Sequence, residues 1–436
     1  MTLEKKTSAF NDPAFAHNKT RPIHRWVPWI AGFSSHFVRD ALHRYLDEKS
    51  TVLDPFAGVG TTLVEAVLLG HRGIGFEINP YAALAARMKI NADRIDVQIL
   101  QETLLNFQTF YTERIGSQSF PKSQPPQGFK TRSEFYSPQV LKKVLTVLDF
   151  IDTLDNLFLQ ELFKLVFAST MVRYSNYSYE PSLSRRVTAG KPEIIDFPVE
   201  EAIIAKLEEI ATDIAKVDFH QKERCENFPI IEDSFLNYQN YLTPESVDAI
   251  VTSPPYLNNY HYNRNTRPQL YWLGFANNPK DLKRLEHLNF GKYWQTVRDR
   301  QPIDLEFRLP ESDIDRRLET IRQINPEKGI YGGSGWANYA ASYFNDCYKF
   351  AQGIHYVLKS GGTALVVIGN SILQGILIPT DQYFGKIAEL VGLELVNIDI
   401  PRSTRVGNSI IQSEVRVAKA KKSHHLYEAI VELRKR

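Results

Sequence analysis

Cysteine is scarce in this chain: 436 residues include two, Cys225 and Cys347. Two thiols cannot build a disulfide framework or the usual zinc site, and they fit a reducing, cytoplasmic setting. Excess charge is also missing. Lysine and arginine number 52 against 50 aspartates and glutamates, a net charge of +2. A nucleic-acid binder with so little excess must gather its basic residues on one face. No run of about 20 apolar residues occurs, which speaks against a membrane-spanning helix. The first residues, MTLEKKTSAFND, contain no apolar core of signal-peptide length. Glycine and proline, at 23 each, are too few for a low-complexity chain. No internal repeat is visible.

What is present is globular, with 43% hydrophobic and 23% charged residues. The length exceeds one ordinary domain, so large insertions in a core fold, or two domains, are expected. Residues 1–22 read as a loose, polar N-terminus. Residues 24–46 read as an irregular aromatic segment leading into a helix capped by Ser34 or Ser35. TVLDPFAGVGTTLVEAVLLGHRGIGFEINPYAALAARMKINAD then spells strand, tight turn, helix, strand, helix, the alternation of a parallel sheet with helices on its faces.

The rhythm breaks at residues 101–228, a mostly helical insertion with a polar linker at 116–134 and a basic, turn-rich loop at 178–194. NFPIIEDSF and VDAIVTSPPY resume it as a third and a fourth strand. Residues 276–334 read as a second insertion or flexible loop. Asn338 to Val357 read as a helix, LKSGGTALVVIGNS as a turn and fifth strand, and PTDQYFGKIAELVGL as a helix. ELVNIDIPRS and SEVRVAKA read as an edge hairpin, and the basic tail 421–436 as a helix. The core domain would then comprise residues 23–100, 229–275 and 335–420.

Three stretches carry chemistry. DPFAGVG ends a strand in an acid and turns on glycines into a helix, as α/β sheets do where they bind nucleotide-like cofactors; Gly58 and Gly60 admit close approach to the backbone. It is neither GxGxxG nor a phosphate loop, since no lysine follows. Glu77 ends the second strand, where an acid can meet ribose hydroxyls. A plain surface glutamate is the alternative. Asp233 ends the third strand, as a cofactor contact or as a helix-capping residue beside Ser234. At the end of the fourth strand, Ser253, Pro254, Pro255 and Tyr256 form a rigid elbow poor in backbone donors.

DPFAGVGTT followed by TSPPY on successive strands resembles the S-adenosylmethionine-dependent DNA amino-methyltransferases, and Ser-Pro-Pro-Tyr is most similar to their cytosine-N4 branch. The adenine-N6 branch usually has Asp or Asn before Pro-Pro. The likeness covers residues 24–92 and 229–275 well and 338–415 loosely. It implies a three-layer α/β fold of the class I methyltransferase, Rossmann-like kind: a seven-stranded, mostly parallel sheet with an antiparallel edge hairpin. It implies that Asp54, Phe56, Gly58 and Gly60 hold S-adenosylmethionine, with Glu77 and Ile78 at ribose and adenine. Asp233 would lie near the adenine amine, and Phe33 and Ser34 at the methionine end. Ser253 to Tyr256 would be catalytic, acting on a base flipped from double-stranded DNA. The motif order, cofactor motif first, departs from many cytosine-N4 enzymes.

Asn258, Arg264 and Arg267 follow the catalytic motif and suit DNA contact, as do Arg185 and Arg186 in the first insertion. A solvated loop is the alternative for both groups. The resemblance also implies a prokaryotic host and functional pairing with a restriction endonuclease. No metal is expected. Adenine-N6 DNA methylation, RNA amino-methylation and a non-catalytic DNA-binding module are the other readings open at this point.

Overall fold

The computed structural model describes residues 10, 15–29, 32–47, 49–117, 119–179, 182–217, 229–258, 262–402 and 426–436. Its centre is a seven-stranded sheet built from β1 (Thr51–Asp54), β2 (Arg72–Phe76), β3 (Ile230–Ile231), β4 (Val247–Thr252), β5 (Leu358–Gly369), β6 (Leu393–Arg402) and β7 (Glu428–Lys435). The strand order is β3-β2-β1-β4-β5-β7-β6. The first five of these strands run parallel, while β7 lies antiparallel to both β5 and β6. This is the seven-stranded, mostly parallel sheet with an antiparallel edge that the sequence leads one to expect.

Alternate residues of the central strands face opposite layers, as strand geometry requires. Val52, Val251, Leu365, Val367 and Ile430 pack with Phe37, Val38 and Leu42 of helix α1 (Ser35–Tyr45). Leu53, Ile250, Ala364, Val366 and Ile368 pack on the other side with the long helix Gly333–Val357 and with helix Thr380–Leu390. With both faces covered, the strands read as nearly continuous apolar runs.

Each early helix starts on a residue suited to the job. Ser34 caps α1 by accepting the His36 amide. Gly60, at φ 83°, precedes α2 (Thr61–Leu68) in a left-handed conformation that a side chain would oppose. Asn79 caps α3 (Pro80–Ile90), with Pro80 at the first helical position. The first insertion supplies α4 (Val97–Gly116), α5 (Pro138–Ile151), α6 (Leu157–Thr170) and α7 (Val199–Lys216). It also forms a small hairpin, Tyr177–Tyr179 with Leu183–Arg185.

The structure corrects three expectations. The tail is not helical: residues 428–435 are the strand β7, wedged between β5 and β6. Pairing on both sides overrides the helical propensity of its Glu, Ala, Leu, Arg and Lys. The strand expected in SEVRVAKA lies outside the described residues. Of the two readings left open for residues 276–334, the flexible loop is the one set aside. These residues form helices Pro279–Leu288, Trp294–Val297 and Ile314–Arg322, and bury Phe290, Val297, Phe307, Ile314 and Ile321. Residues 15–22 are not loose either. Asn18 is fully buried, donates to the Phe33 carbonyl at 3.0 Å and accepts from the Ser35 amide and hydroxyl at 3.0 and 2.8 Å.

Candidate active site

The two motifs expected to hold the cofactor and to carry catalysis meet at the C-terminal ends of neighbouring strands, because β1 and β4 pair in register through Val52–Ala249 and Leu53–Ile250. Asp54 closes β1 and Thr252 closes β4. The Thr252 hydroxyl donates to Asp54 Oδ1 at 2.6 Å, and the Phe56 amide donates to the same oxygen at 3.1 Å. Asp54 Oδ2 is buried without a partner among the described residues. Burial pushes the Asp54 carboxyl up to about 6, against these hydrogen bonds.

From Asp54 the chain turns through Gly58, at φ 52°, and Gly60. The Gly58 amide donates to Glu77 Oε2 at 2.8 Å, and the Asn79 amide donates to Oε1 at 2.7 Å. Glu77 thus ties the turn to the end of β2. Desolvation raises its carboxyl to about 7, although two backbone donors favour the ionised form. Ile78 is half-buried beside it. The Phe56 ring packs edge-on against Phe290 and Phe350, with centroids 5.1 and 5.2 Å away, so it props the turn from the core side.

The Pro-Pro elbow follows Thr252 directly. Ser253 Oγ donates to the Tyr256 hydroxyl at 3.4 Å, and that hydroxyl donates to Glu428 Oε1 of β7 at 3.4 Å. Pro254 is buried. The Pro255 carbonyl accepts from the Tyr343 hydroxyl at 3.0 Å, which fixes the elbow against the long helix. Asn258 is half-buried just beyond.

The remaining expected residues divide. Phe33 is core, with Phe37 as its ring neighbour, and Ser34 spends its hydroxyl on the α1 cap. Asp233 is engaged locally: it accepts from the Ser234 amide, from the Asn237 side chain and from the Tyr241 hydroxyl, the last at 2.8 Å. Ser234, not Asp233, accepts the Leu236 amide as the cap of the following turn. Arg267 donates to the Lys130 carbonyl and stacks on Phe129 and Tyr271, so it joins the linker to the core. Arg186 donates to the Pro192 carbonyl. Arg185 and Arg264 are exposed. They stand on elements that meet at Asn265, which accepts from the Leu183 amide and the Tyr179 hydroxyl.

Sequence reasoning missed several residues here. Glu65, fully buried on α2, binds His24 Nε2 and Arg39 Nε, each at 2.8 Å. Burial pushes its carboxyl up, but His24 and Arg39 outweigh that and hold it below the usual carboxylate range. Asn79 donates to Thr266 Oγ1 at 2.7 Å, bridging the cofactor side to the segment after the elbow. Asp213 of α7 lies on the same stripe as Val199, Ile203, Leu207 and Ile210. An acid on an apolar stripe was the available signal for it, and a lone glutamate in an apolar helix was the signal for Glu65.

Residues 7–87 match a family model described as DNA methylase, named for N6 and N4 methyltransferases. Over 455 aligned residues the chain is 26% identical to the type II methyltransferase M.BsoBI of Geobacillus stearothermophilus, covering 93% of this chain and 86% of that one. It is 24% identical to the type II methyltransferase M.AvaI of Nostoc sp. over 417 residues, covering 91% and 84%. The solved rRNA methyltransferase aviRa of Streptomyces viridochromogenes gives a TM-score of 0.29 at 9% identity, over 93% of this chain and 87% of its own. The methyl donor is S-adenosylmethionine. The site fits it: an unpartnered buried carboxylate oxygen on Asp54, a turn without a side chain at Gly58, and Glu77 at the next strand end, while Gly60 is bare because a Cβ there would lie 3.0 Å from Ala86 of α3. The family model, the two relatives and the strand order together support an amino-methyltransferase, of either the N4 or the N6 branch.

Proposed function

We propose that the protein is a site-specific DNA methyltransferase that methylates the exocyclic N4 amine of cytosine. The observation that carries this reading is the 2.6 Å bond between Thr252 and Asp54, which joins the cofactor turn and the Ser-Pro-Pro-Tyr elbow at adjacent strand ends. Bound S-adenosylmethionine supplies an electrophilic methyl group on sulfur. The chain's own task is to ready the amine, whose lone pair is delocalised into the base ring.

Acceptors aimed at the two amine hydrogens favour a pyramidal nitrogen and the positive charge that develops on it. Ser253 Oγ and the Pro254 carbonyl are those acceptors. The fixed φ of proline directs the Pro254 carbonyl, and Tyr343, by holding the Pro255 carbonyl, keeps the elbow from swinging. Tyr256 stacks on the flipped base, an interaction worth roughly 1–3 kcal/mol. Glu77 and Asp54 hold the cofactor, and Asp233 and Ile78 flank its adenine. Arg185 and Arg264, with Asn258, contact the duplex near the elbow. Relatives named as type II methyltransferases support the pairing of this activity with a restriction endonuclease.

The test is mass spectrometry of nucleosides from DNA incubated with the protein and isotope-labelled S-adenosylmethionine. Label in N4-methylcytosine is expected. Label in N6-methyladenine would overturn the base assignment made from Ser253 while leaving the acceptor geometry intact. Label in RNA alone would overturn DNA as the substrate.

A further inference from the structure

Residues 21–29 cross between the first insertion and the cofactor turn, and they are pinned at both ends of that crossing. On one side, the fully buried Asp213 of α7 receives four hydrogen bonds. Its Oδ2 accepts from the Ile23 amide, Arg25 Nε and Trp26 Nε1, all at 3.0 Å, and its Oδ1 accepts from Arg25 Nη2 at 2.5 Å. On the other side, His24 binds Glu65 of α2, the helix that begins at Gly60, and its carbonyl accepts from buried Lys89 of α3 at 3.2 Å. The strap ends on Trp29, whose indole nitrogen lies 3.4 Å from the position a Cβ on Gly58 would take.

Its backbone is strained where Asp213 grips it. Ile23 sits at φ 65°, ψ −49°, a conformation that a β-branched residue reaches only when its surroundings over-determine it. The Ile23 side chain is fully buried and its amide is held by Asp213, so both ends of the residue are committed. The turn at Ile23 is closed locally by the His24 amide on the Pro22 carbonyl at 2.7 Å, and the grip on the Ile23 amide comes from Asp213, 190 residues away. Strain of this kind is found where a precise surface is being held.

We propose that Asp213 is a positioning residue for the cofactor: by clamping the strap it sets Trp29 against the Gly58 turn and so completes the wall of the S-adenosylmethionine site. The inference rests on the cofactor assignment for residues 54–60. It also makes the first insertion part of the cofactor site, through a residue that touches no ligand.

The test is calorimetric titration of S-adenosylmethionine and of its demethylated product into the full chain and into Asp213→Asn, Asp213→Ala and Arg25→Gln. Asn338→Ala is the control. Asn338, on the long helix, is buried against the second insertion and donates to the Val297, Arg300 and Gln301 carbonyls, so its loss lowers stability away from the strap. The Asp213 variants are expected to bind both ligands about tenfold more weakly, the scale of one lost buried hydrogen bond. Turnover at saturating cofactor should be retained, and Asn338→Ala should bind normally at a comparable loss of melting temperature. Should Asp213→Ala fail to fold, Asp213→Asn and Arg25→Gln carry the test. Unchanged affinity in the strap variants, or an equal loss in Asn338→Ala, would overturn the proposal alone. A wild-type chain that takes up no S-adenosylmethionine would overturn the cofactor assignment and this inference with it.

Discussion

Asp54 and Glu77 carry carboxyls raised to about 6 and about 7 by burial, so the charge of the cofactor turn changes near neutrality. The direction of the consequence follows from linkage. A carboxyl with a raised folded pKa binds its proton more tightly in the folded chain. As pH falls through this window the ligand-free fold therefore gains stability from these two groups, and it loses that contribution as pH rises through the folded values. Ligand binding runs the other way, because the ionised carboxylates are the better acceptors for hydroxyls and the better partners for a sulfonium. Affinity for S-adenosylmethionine is expected to fall severalfold from about pH 8 to about pH 5.5, without a loss of melting temperature traceable to these groups. Titration calorimetry across that range checks it, and a flat profile would count against both assignments. The elbow gives a second prediction. Ser253→Ala removes one acceptor and should cost turnover about 10²–10³-fold, as loss of a transition-state hydrogen-bonding group does elsewhere, while Tyr256→Ala removes the stacking ring and should cost about 10–100-fold, in line with the roughly 1–3 kcal/mol of such a contact. Cofactor affinity should be kept, and its collapse in both variants would remove these residues from the catalytic role. At this scale the motif residues were legible because each motif is local: Asp54 to Gly60 and Ser253 to Tyr256 are single turns whose residue types announce their backbone. Glu65 and Asp213 were not, because their partners come from the far-off segments 21–26 and 39. Long-range pairing leaves only an acid on an apolar face as its trace.

Secondary structure was legible in the same uneven way. The strand-turn-helix units around β1 and β2 announce themselves through caps and glycines, and the first insertion reads as mostly helical, but its division into α5 and α6 with Ser137 and Asn156 as caps comes from the structure. The tail misled for a physical reason. EAIVELRK has helix-forming residues and few β-branched ones, and what makes it a strand is hydrogen bonding to β5 on one side and β6 on the other. Ala429, Ile430, Val431 and Leu433 are all buried there. Removing residues 427–436 should thus be far worse than trimming a tail. It would unpair β6 from the sheet, expose the edge of β5 and take Glu428 from Tyr256. Such an open edge is a template for association. The truncated chain is expected to be largely insoluble, or, where recovered, to melt well below the full chain. Light scattering and thermal melts measure this, and a monomeric truncation of unchanged stability would show β7 to be dispensable.

Across the whole molecule, the insertions are not appendages. One continuous core runs from Leu63 and Val64 of α2 through Leu84 and Met88 of α3 to Phe107, Val144, Phe163 and Leu207 of the insertion helices. On the other face of the sheet, Phe307, Ile314 and Ile321 of the second insertion share a core with Tyr343 and Phe350 of the long helix and with Ile250 of β4. Phe290 reaches Phe56 at the cofactor turn itself. The sequence marks both insertions as breaks in the strand-helix rhythm, which is true of the chain's order and says little about its packing. A core that crosses such a boundary couples the two sides, because neither can open without exposing the other's apolar surface. Calorimetry should then record one unfolding transition. S-adenosylmethionine at a hundredfold its dissociation constant should add about 2.7 kcal/mol of stability and move that transition upward as a unit. Two peaks, with the cofactor shifting only one, would mean that the insertion melts apart from the sheet. Coupling through Asp213 would then have to be abandoned along with the shared core, since a clamp anchored in a separately melting unit could not hold the strap while the sheet stayed folded.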